Sequence, residues 1–385
     1  MTDWGGLLEF CETDRQRLVI SLRQKGLSAR EVGEQIGVHE RNVMAMCKRL
    51  RDKAAKQGYS PEHDMVHTVP DGYSVKGTST LYKDGQPVIQ WVKSDADKQR
   101  QMEIVLEAIE KASDGIKPFD PIPKPDSTDE DLCSLLVITD FHLGAYAWEA
   151  ETGDDWDINI AKGVFLNAVN DMISASPKSE VGILCQLGDF LHFDSLLQVT
   201  PSSGHILDAD TRYSKLVELT LEVMTHAVDL MLKHFGRVIV IQAEGNHDMA
   251  GSVWLRKAIK REYANEGRLE VIDNEFPYYA YLHGEIMLGF HHGHKVKLQQ
   301  LHKLFASEPR FRSMWGQARQ TYIHTGHFHH ERVVEDGGAI AEQHPTLSAR
   351  DAYAARGGWV SMRGAKIITY HKTDGEVHRT TVRPR

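Results

Sequence analysis

Gly245-Asn246-His247-Asp248 directly follows the apolar run Val238-Ile239-Val240-Ile241. A short apolar run of this kind reads as a buried strand. Four further stretches repeat the arrangement. Asp140-Phe141-His142 follows Leu135-Leu136-Val137-Ile138, and Gly188-Asp189 follows Ile183-Leu184-Cys185. His291-His292-Gly293-His294 follows Ile286-Met287-Leu288, and Gly326-His327-Phe328-His329 follows Tyr322-Ile323-His324. Side chains at strand ends converge along one edge of a sheet, where α/β folds keep their sites. Most of the 21 histidines lie in this half of the chain. Histidines serving only packing would not gather behind strands.

Outward from these stretches, residues 132 to 385 alternate strands with helical segments near 159–174, 211–235, 252–266 and 295–306, as an α/β layered domain does. Gly337-Gly338 and Asp374-Gly375 each sit between strand-like runs, which predicts C-terminal hairpins in a second sheet packed on the first. Four prolines between 113 and 130 mark a linker before this domain. Residues 59 to 112 predict a connector. Within it, 59–70 reads as a linker, Tyr73-Ser74-Val75 to Val88-Ile89-Gln90-Trp91-Val92 as a hairpin turning at Asp84-Gly85, and Asp95 to Ala112 as a helix.

Residues 1 to 58 predict a small three-helix module. Thr13-x-x-Gln16 and Ser28-x-x-Glu31 are capping boxes, and Gly26 and Gly37 are stops. The spacing of Gly33, Gly37, Val38 and Val43 resembles the helix-turn-helix signature, with its recognition helix running from about His39 to about Lys56. Residues 14 to 58 hold eleven Lys and Arg against five Asp and Glu, a surplus of six hidden in the overall charge of −9. That surplus suits phosphate contact. Arg41, Asn42, Ala45, Lys48 and Arg49 are the expected DNA-facing residues. A basic oligomerisation module is the plain alternative.

The composition, 41% hydrophobic and 26% charged, is that of a globular protein. Cys11, Cys47, Cys133 and Cys185 form no CxxC pair, which argues against a disulfide framework or a thiolate zinc site. No signal peptide or 18-residue apolar span is legible, so a cytoplasmic, bacterial or phage-encoded protein is expected, with no membrane contact.

Asp, His and Asn are ligands for borderline divalent metals. Asp140, His142, Asp189, Asn246, His292, His327 and His329 suffice for two such ions. In kind and order, the five blocks resemble the calcineurin-like metallophosphoesterase superfamily, and more narrowly its Mre11/SbcD-like DNA-repair nuclease branch. The resemblance implies an α/β/β/α two-sheet sandwich with a dinuclear centre. One metal would take Asp140, His142, Asp189 and His329. The other would take Asp189, Asn246, His292 and His327, with Asp189 as the bridge. His247 would protonate or stabilise the leaving oxygen, and Asp248 would orient its imidazole. His291 and His294 compete with His292 for one ligand place. His192 is a candidate neighbour of the ligands. Mn²⁺ is the metal the resemblance favours, with Fe and Zn²⁺ also suited to the donors.

Together these features predict a metal-dependent phosphodiesterase or nuclease that uses a metal-bridging hydroxide, binds DNA and forms a homodimer. The alternatives are a phosphomonoesterase or nucleotide phosphatase, and a DNA-binding regulator on a scaffold phosphoesterase fold. Arg350 and Arg356 are candidate phosphate contacts.

Overall fold

The computed structural model describes residues 4–61, 65–66, 68–69, 73–83, 86–96, 100, 103–104, 107, 122–201 and 203–384. The chain divides into two compact units, Met1–Ile104 and Val105–Arg385. No described helix is long and apolar enough to cross a membrane.

The first unit holds α1 (Asp14–Gln24), α2 (Ala29–Ile36) and α3 (Glu40–Lys56). Both capping boxes form: Thr13 and Ser28 accept the N3 backbone N–H, and Gln16 and Glu31 reach back. Gly37 ends α2 in the left-handed region at φ 71°, a conformation that favours glycine. A side chain at Gly33 would meet the Val38 carbonyl at 2.5 Å, so the turn needs a glycine there. Val43, Cys47, Leu50 and Ala54 recur every three to four residues on α3 and are buried against Val19, Ile20 and Val32.

The expected 59–70 linker contains instead a short antiparallel pair, β1 (Tyr59–Ser60) with β2 (Met65–Val66). The hairpin is β3 (Tyr73–Lys83) with β4 (Gln86–Ala96). Its Asp84-Gly85 turn lies outside the described residues. So does most of the expected 95–112 helix, although Arg100, Glu103, Ile104 and Glu107 are helical and Asp95 and Ala96 close β4. Residues 113–121 of the expected linker are also outside. The remainder ends sooner than 130, because β5 begins at Asp129.

The second unit is a four-layer α/β/β/α arrangement. Its first sheet runs β15-β14-β5-β6-β7-β8. Here β5 (Asp129–Ile138), β6 (Ser179–Gln186), β7 (Arg237–Gln242) and β8 (Leu269–Val271) are parallel neighbours. β14 (Ala365–His371) and β15 (Gly375–Val382) extend this sheet antiparallel. The second sheet runs β12-β13-β11-β10-β9. Its strands are β9 (Tyr279–His283), β10 (Ile286–Phe290), β11 (Gln320–Thr325), β12 (Arg332–Asp336) and β13 (Ala339–Gln343).

Strand alternation sorts the core into layers. From β5, Leu136 and Ile138 join the helical side with Phe165, Val169 and Met224 of helices Ile158–Ala175 and Tyr213–His234. Leu135 and Val137 point the other way and meet Leu288, Phe290 and Tyr322 of the second sheet. That sheet's outer face, including Met287 and Ile323, is covered by Leu301 and Phe305. The expectation that both C-terminal hairpins build a second sheet is half corrected. β12–β13 does so, whereas β14–β15 joins the first sheet, where Ile367 and Ile368 are buried on opposite faces of the central layer.

Charged groups also lie between the sheets. Glu342 of β13 accepts from Lys366 of β14 at 2.6 Å and from Arg379 of β15 at 2.7 and 2.8 Å. Burial alone would raise the Glu342 carboxyl, but His344, Arg379, His324 and Lys366 hold it well below the ordinary carboxylate range. A carboxyl depressed on folding adds stability above its unfolded pKa and loses it as pH falls towards the folded one. In urea titrations, the advantage of the natural protein over Glu342→Gln should be full above about pH 5 and shrink steadily below about pH 4.

Candidate metal centre

The strand registers bring the five blocks together. Ile138 of β5 pairs with Gln186 of β6, and Gln186 pairs with Gln242 of β7, so these strands finish level. Asp140, Asp189 and Asn246 leave the first sheet from that edge. Phe290 of β10 pairs with His324 of β11, so His292 and His327 leave the second sheet together. The site is thus shared by the edges of two sheets rather than set along one. Backbone bonds continue past the strands: Asp140 N–H to Gly188 O at 3.1 Å, His142 N–H to Asp189 O at 3.0 Å, and Gly326 N–H to His292 O at 2.8 Å.

The backbone is strained here. Asp140 (φ 50°), His142 (49°), Asp189 (53°), His327 (75°) and His329 (57°) are the non-glycine residues with positive φ among those described. Each costs on the order of 1–3 kcal/mol and persists where the surroundings over-determine it, as functional sites do. The flanking glycines allow close approach. A side chain at Gly326 would meet Thr139 Oγ1 at 1.8 Å and Asp140 Oδ2 at 2.5 Å, and one at Gly188 would meet His292 Nδ1 at 2.7 Å.

The donor atoms at this edge fall into three overlapping groups, Asp140 with His142 and His329, Asp140 with Asp189, His292 and His327, and His142 with His192 and His247, so the carboxylate common to the first two is Asp140, where the resemblance gives Asp189. His329 Nε2 lies 3.3 Å from Asp140 Oδ1 and 3.3 Å from His142 Nε2. His292 Nε2 lies 3.1 Å from Asp189 Oδ2 and 3.1 Å from the Asn246 side-chain oxygen. His292 donates from Nδ1 to the Leu187 carbonyl at 2.9 Å, which orients the ring with Nε2 towards the Asp189 and Asn246 oxygens. Of the three competing histidines, His292 therefore has its nitrogen in the cluster. His291 is stacked on Tyr278 at 4.2 Å and accepts the Gly293 N–H at Nδ1, and His294 stacks on His291.

The residues fit a divalent cation. Asp140 Oδ1 is buried and makes no well-formed hydrogen bond, facing only the ring nitrogens of His329 at 3.3 Å and His292 at 4.0 Å, and a buried carboxylate oxygen among imidazole nitrogens suits a shared cation. Burial works against ionised Asp140 and Asp189, yet His329 and His292 beside Asp140, and His292 beside Asp189, hold both carboxyls below the usual range. Burial and the neighbouring His247 push His142 well down, which keeps it neutral as a ligand must be.

The expected pairing of Asp248 with the His247 imidazole is not found. His247 Nδ1 donates to the His192 carbonyl at 2.7 Å, so a backbone oxygen fixes the tautomer. Asp248 is fully buried and accepts the N–H groups of Asp189 (3.1 Å), Phe190 (2.8 Å), Leu191 (3.3 Å) and Gly245 (3.0 Å). It clamps the 189–191 and 245–248 segments to each other. Asp248→Ala would leave those donors unpaired and should lower unfolding free energy by about 3 kcal/mol or more in urea titrations. A mere orienting role would slow turnover with stability unchanged.

His192 is buried beside the candidate ligands, its Nδ1 3.4 Å from His142 Nδ1 and its ring stacked 5.6 Å from His247. Asp194 carries no signal in the sequence that marks it out. It accepts the Ala250 and Gly251 N–H groups at 2.7 and 3.4 Å and so caps helix Met249–Glu262 behind His247. Arg350 donates to the Thr152 carbonyl at 3.0 and 2.6 Å, and Arg356 pairs with Glu151, so both tie down the loop after His142. In the first unit, Arg41, Asn42, Ala45, Lys48 and Arg49 are all exposed on α3, opposite its buried stripe.

No protein-family model and no curated protein matches this chain. Solved structures do. A dimetal phosphatase from Danio rerio has 10% identity and a TM-score of 0.34, with 67% of this chain and all of that one covered. An archaeal phosphodiesterase has 12% identity and a TM-score of 0.33, with 65% and 99% covered. Vacuolar Protein Sorting 29 from Cryptosporidium parvum has 14% identity and a TM-score of 0.28, with 66% and 98% covered. At these values function rests on the site's own geometry.

Proposed function

We propose that this chain is a calcineurin-like, metal-dependent phosphoesterase that hydrolyses phosphodiester bonds in nucleic acid. The observation that carries this reading is the convergence of Asp140, His142, Asp189, Asn246, His292, His327 and His329 where the two sheet edges meet, with Asp140 Oδ1 buried among imidazole nitrogens. Asp140, His142, Asp189 and His329 would hold one divalent ion, and Asp189, Asn246, His292 and His327 the other, Mn²⁺ being favoured. Such ions supply Lewis acidity toward a phosphoryl oxygen and the charge that offsets its anionic character.

The chain's own groups do the rest. His247, fixed by the His192 carbonyl at Nδ1, keeps Nε2 for the leaving oxygen. When protonated, it gives up that proton as the ester bond breaks. The Asp248 clamp and the Asp194 cap hold the 245–251 segment so that this nitrogen does not wander.

Nucleic acid is favoured by two features. The exposed face of α3 is basic, and the local surplus of six charges lies in its module. The exposed aromatic residues described in the second unit, Tyr146, Trp148, Phe328, Tyr353 and Trp359, all lie on connections at the ligand edge. Flat exposed rings suit stacking of unpaired bases. The first unit would hold the substrate and raise its concentration at the metal edge.

The double substitution Lys48→Ala/Arg49→Ala tests this. DNA affinity should fall, and the slope of log affinity against log salt should flatten by about 1.8, roughly 0.9 per lost phosphate contact. Hydrolysis of bis-p-nitrophenyl phosphate should stay unchanged. Unaltered DNA affinity and salt slope would remove the first unit from substrate binding.

A further inference from the structure

Beneath the metal edge lies a second cluster of buried titratable side chains that the chemistry above does not use. His324 of β11, Glu342 of β13 and His344 belong to the second sheet. Lys366 and Tyr370 of β14 and Arg379 of β15 belong to the first. Every bond between the two sets crosses from sheet to sheet. Lys366 is 2% exposed and donates to Glu342 at 2.6 Å, and Arg379 grips both Glu342 oxygens. The Tyr370 hydroxyl lies 3.1 Å from His324 Nε2, and His324 Nδ1 lies 2.9 Å from His344 Nε2.

His324, Glu342 and His344 are metal-competent by residue type and spacing. Glu342, however, already faces two fixed cations, so a further positive charge there is opposed. The cluster reads instead as a polar fastening.

Both ends of the fastening attach to ligand-bearing backbone. The His324 carbonyl accepts the His291 N–H at 3.1 Å, and His344 N–H reaches the Thr325 carbonyl at 2.8 Å. These segments lead into His292, His327 and His329. In the first sheet, Lys366 pairs in register with Val137, three residues before Asp140. Each metal subsite draws ligands from both sheets, so a slide of one sheet over the other would alter both. The apolar layer between the sheets resists separation but is non-directional. Charge-assisted hydrogen bonds are directional and can fix an offset.

We propose that Lys366, Glu342 and Arg379, with Tyr370, His324 and His344, form an inter-sheet pin whose function is positional: it sets the offset of the two sheets and thereby assembles the pair of metal subsites. This rests on the metal reading above. Lys366, Glu342 and Arg379 are positioning residues, since none of them touches a ligand side chain.

The test uses the full-length chain, Mn²⁺ alone as probe, and the double substitution Lys366→Met/Glu342→Met. Replacing a buried ion pair by apolar groups of similar volume is often neutral for stability, and Arg379 is partly exposed and keeps Glu376 as its partner, so the unfolding midpoint should stay close to that of the natural protein. Calorimetric titration should show the second Mn²⁺ binding about 10- to 100-fold more weakly, the usual range for groups that support metal ligands. The electron paramagnetic resonance spectrum should change from a coupled pair to isolated ions. Natural affinity for both ions with a natural coupled spectrum would overturn the proposal. If the double variant does not fold, Arg379→Gln carries the test at the partly exposed end of the pin. A severalfold loss at the second ion supports the pin, and no loss overturns it. If the natural protein itself binds no pair of Mn²⁺ ions, the metal reading fails, and this one with it.

Discussion

Asp189→Asn should fold normally and lose at least about 1000-fold in hydrolysis. Asp189 Oδ1 accepts the His247 N–H at 2.8 Å, and Oδ2 lies 3.1 Å from His292 Nε2. Asparagine keeps the shape and can keep the first contact, but it removes the negative charge assigned to both metal subsites. The Lewis acidity of a bound ion is worth several kcal/mol, and each ~1.4 kcal/mol is tenfold in rate. Kinetics at saturating Mn²⁺, with calorimetric metal titration of the same sample, checks this. Turnover within tenfold of the natural protein would take Asp189 out of the bridging role.

His247→Gln should leave metal binding intact and slow DNA cleavage by about 10²- to 10⁴-fold, the usual range for loss of a general acid. The effect should depend on the leaving group. An alkoxide leaving from DNA needs a proton, whereas p-nitrophenolate departs without one. Bis-p-nitrophenyl phosphate hydrolysis should therefore fall far less. Equal losses on both substrates would mean that His247 binds the phosphoryl group rather than protonating the leaving oxygen.

What was legible in the sequence is what local chemistry writes there. The runs of three or four residues before Asp140, Asp189, Asn246, His292 and His327 are legible as strands because short, largely apolar runs that end in polar or glycine residues are too brief for a buried helix. The capping boxes at Thr13 and Ser28 marked helix starts because they satisfy backbone donors within four residues. What was not legible depends on partners distant in the chain. The sheet that β14–β15 joins is set by pairing with β5, more than 220 residues away. The role of Asp248 depends on backbone N–H groups of residues 189–191, some 57–59 positions earlier. Its neighbour in sequence, His247, was the natural but mistaken partner. The charges of Lys366 and Arg379 look like those of solvated strand residues until Glu342 is placed opposite them. The choice among His291, His292 and His294 likewise needed the Leu187 carbonyl, which only the fold brings to His292 Nδ1.

The most direct measurement is a Mn²⁺ titration of metal-free protein, with each point assayed on supercoiled plasmid, bis-p-nitrophenyl phosphate and p-nitrophenyl phosphate. The site described here predicts binding of two ions per chain, as a two-metal phosphoesterase requires. Plasmid nicking and diester hydrolysis should rise as the second ion binds. Saturation with no diester or plasmid cleavage, or hydrolysis of the monoester alone, would contradict the account.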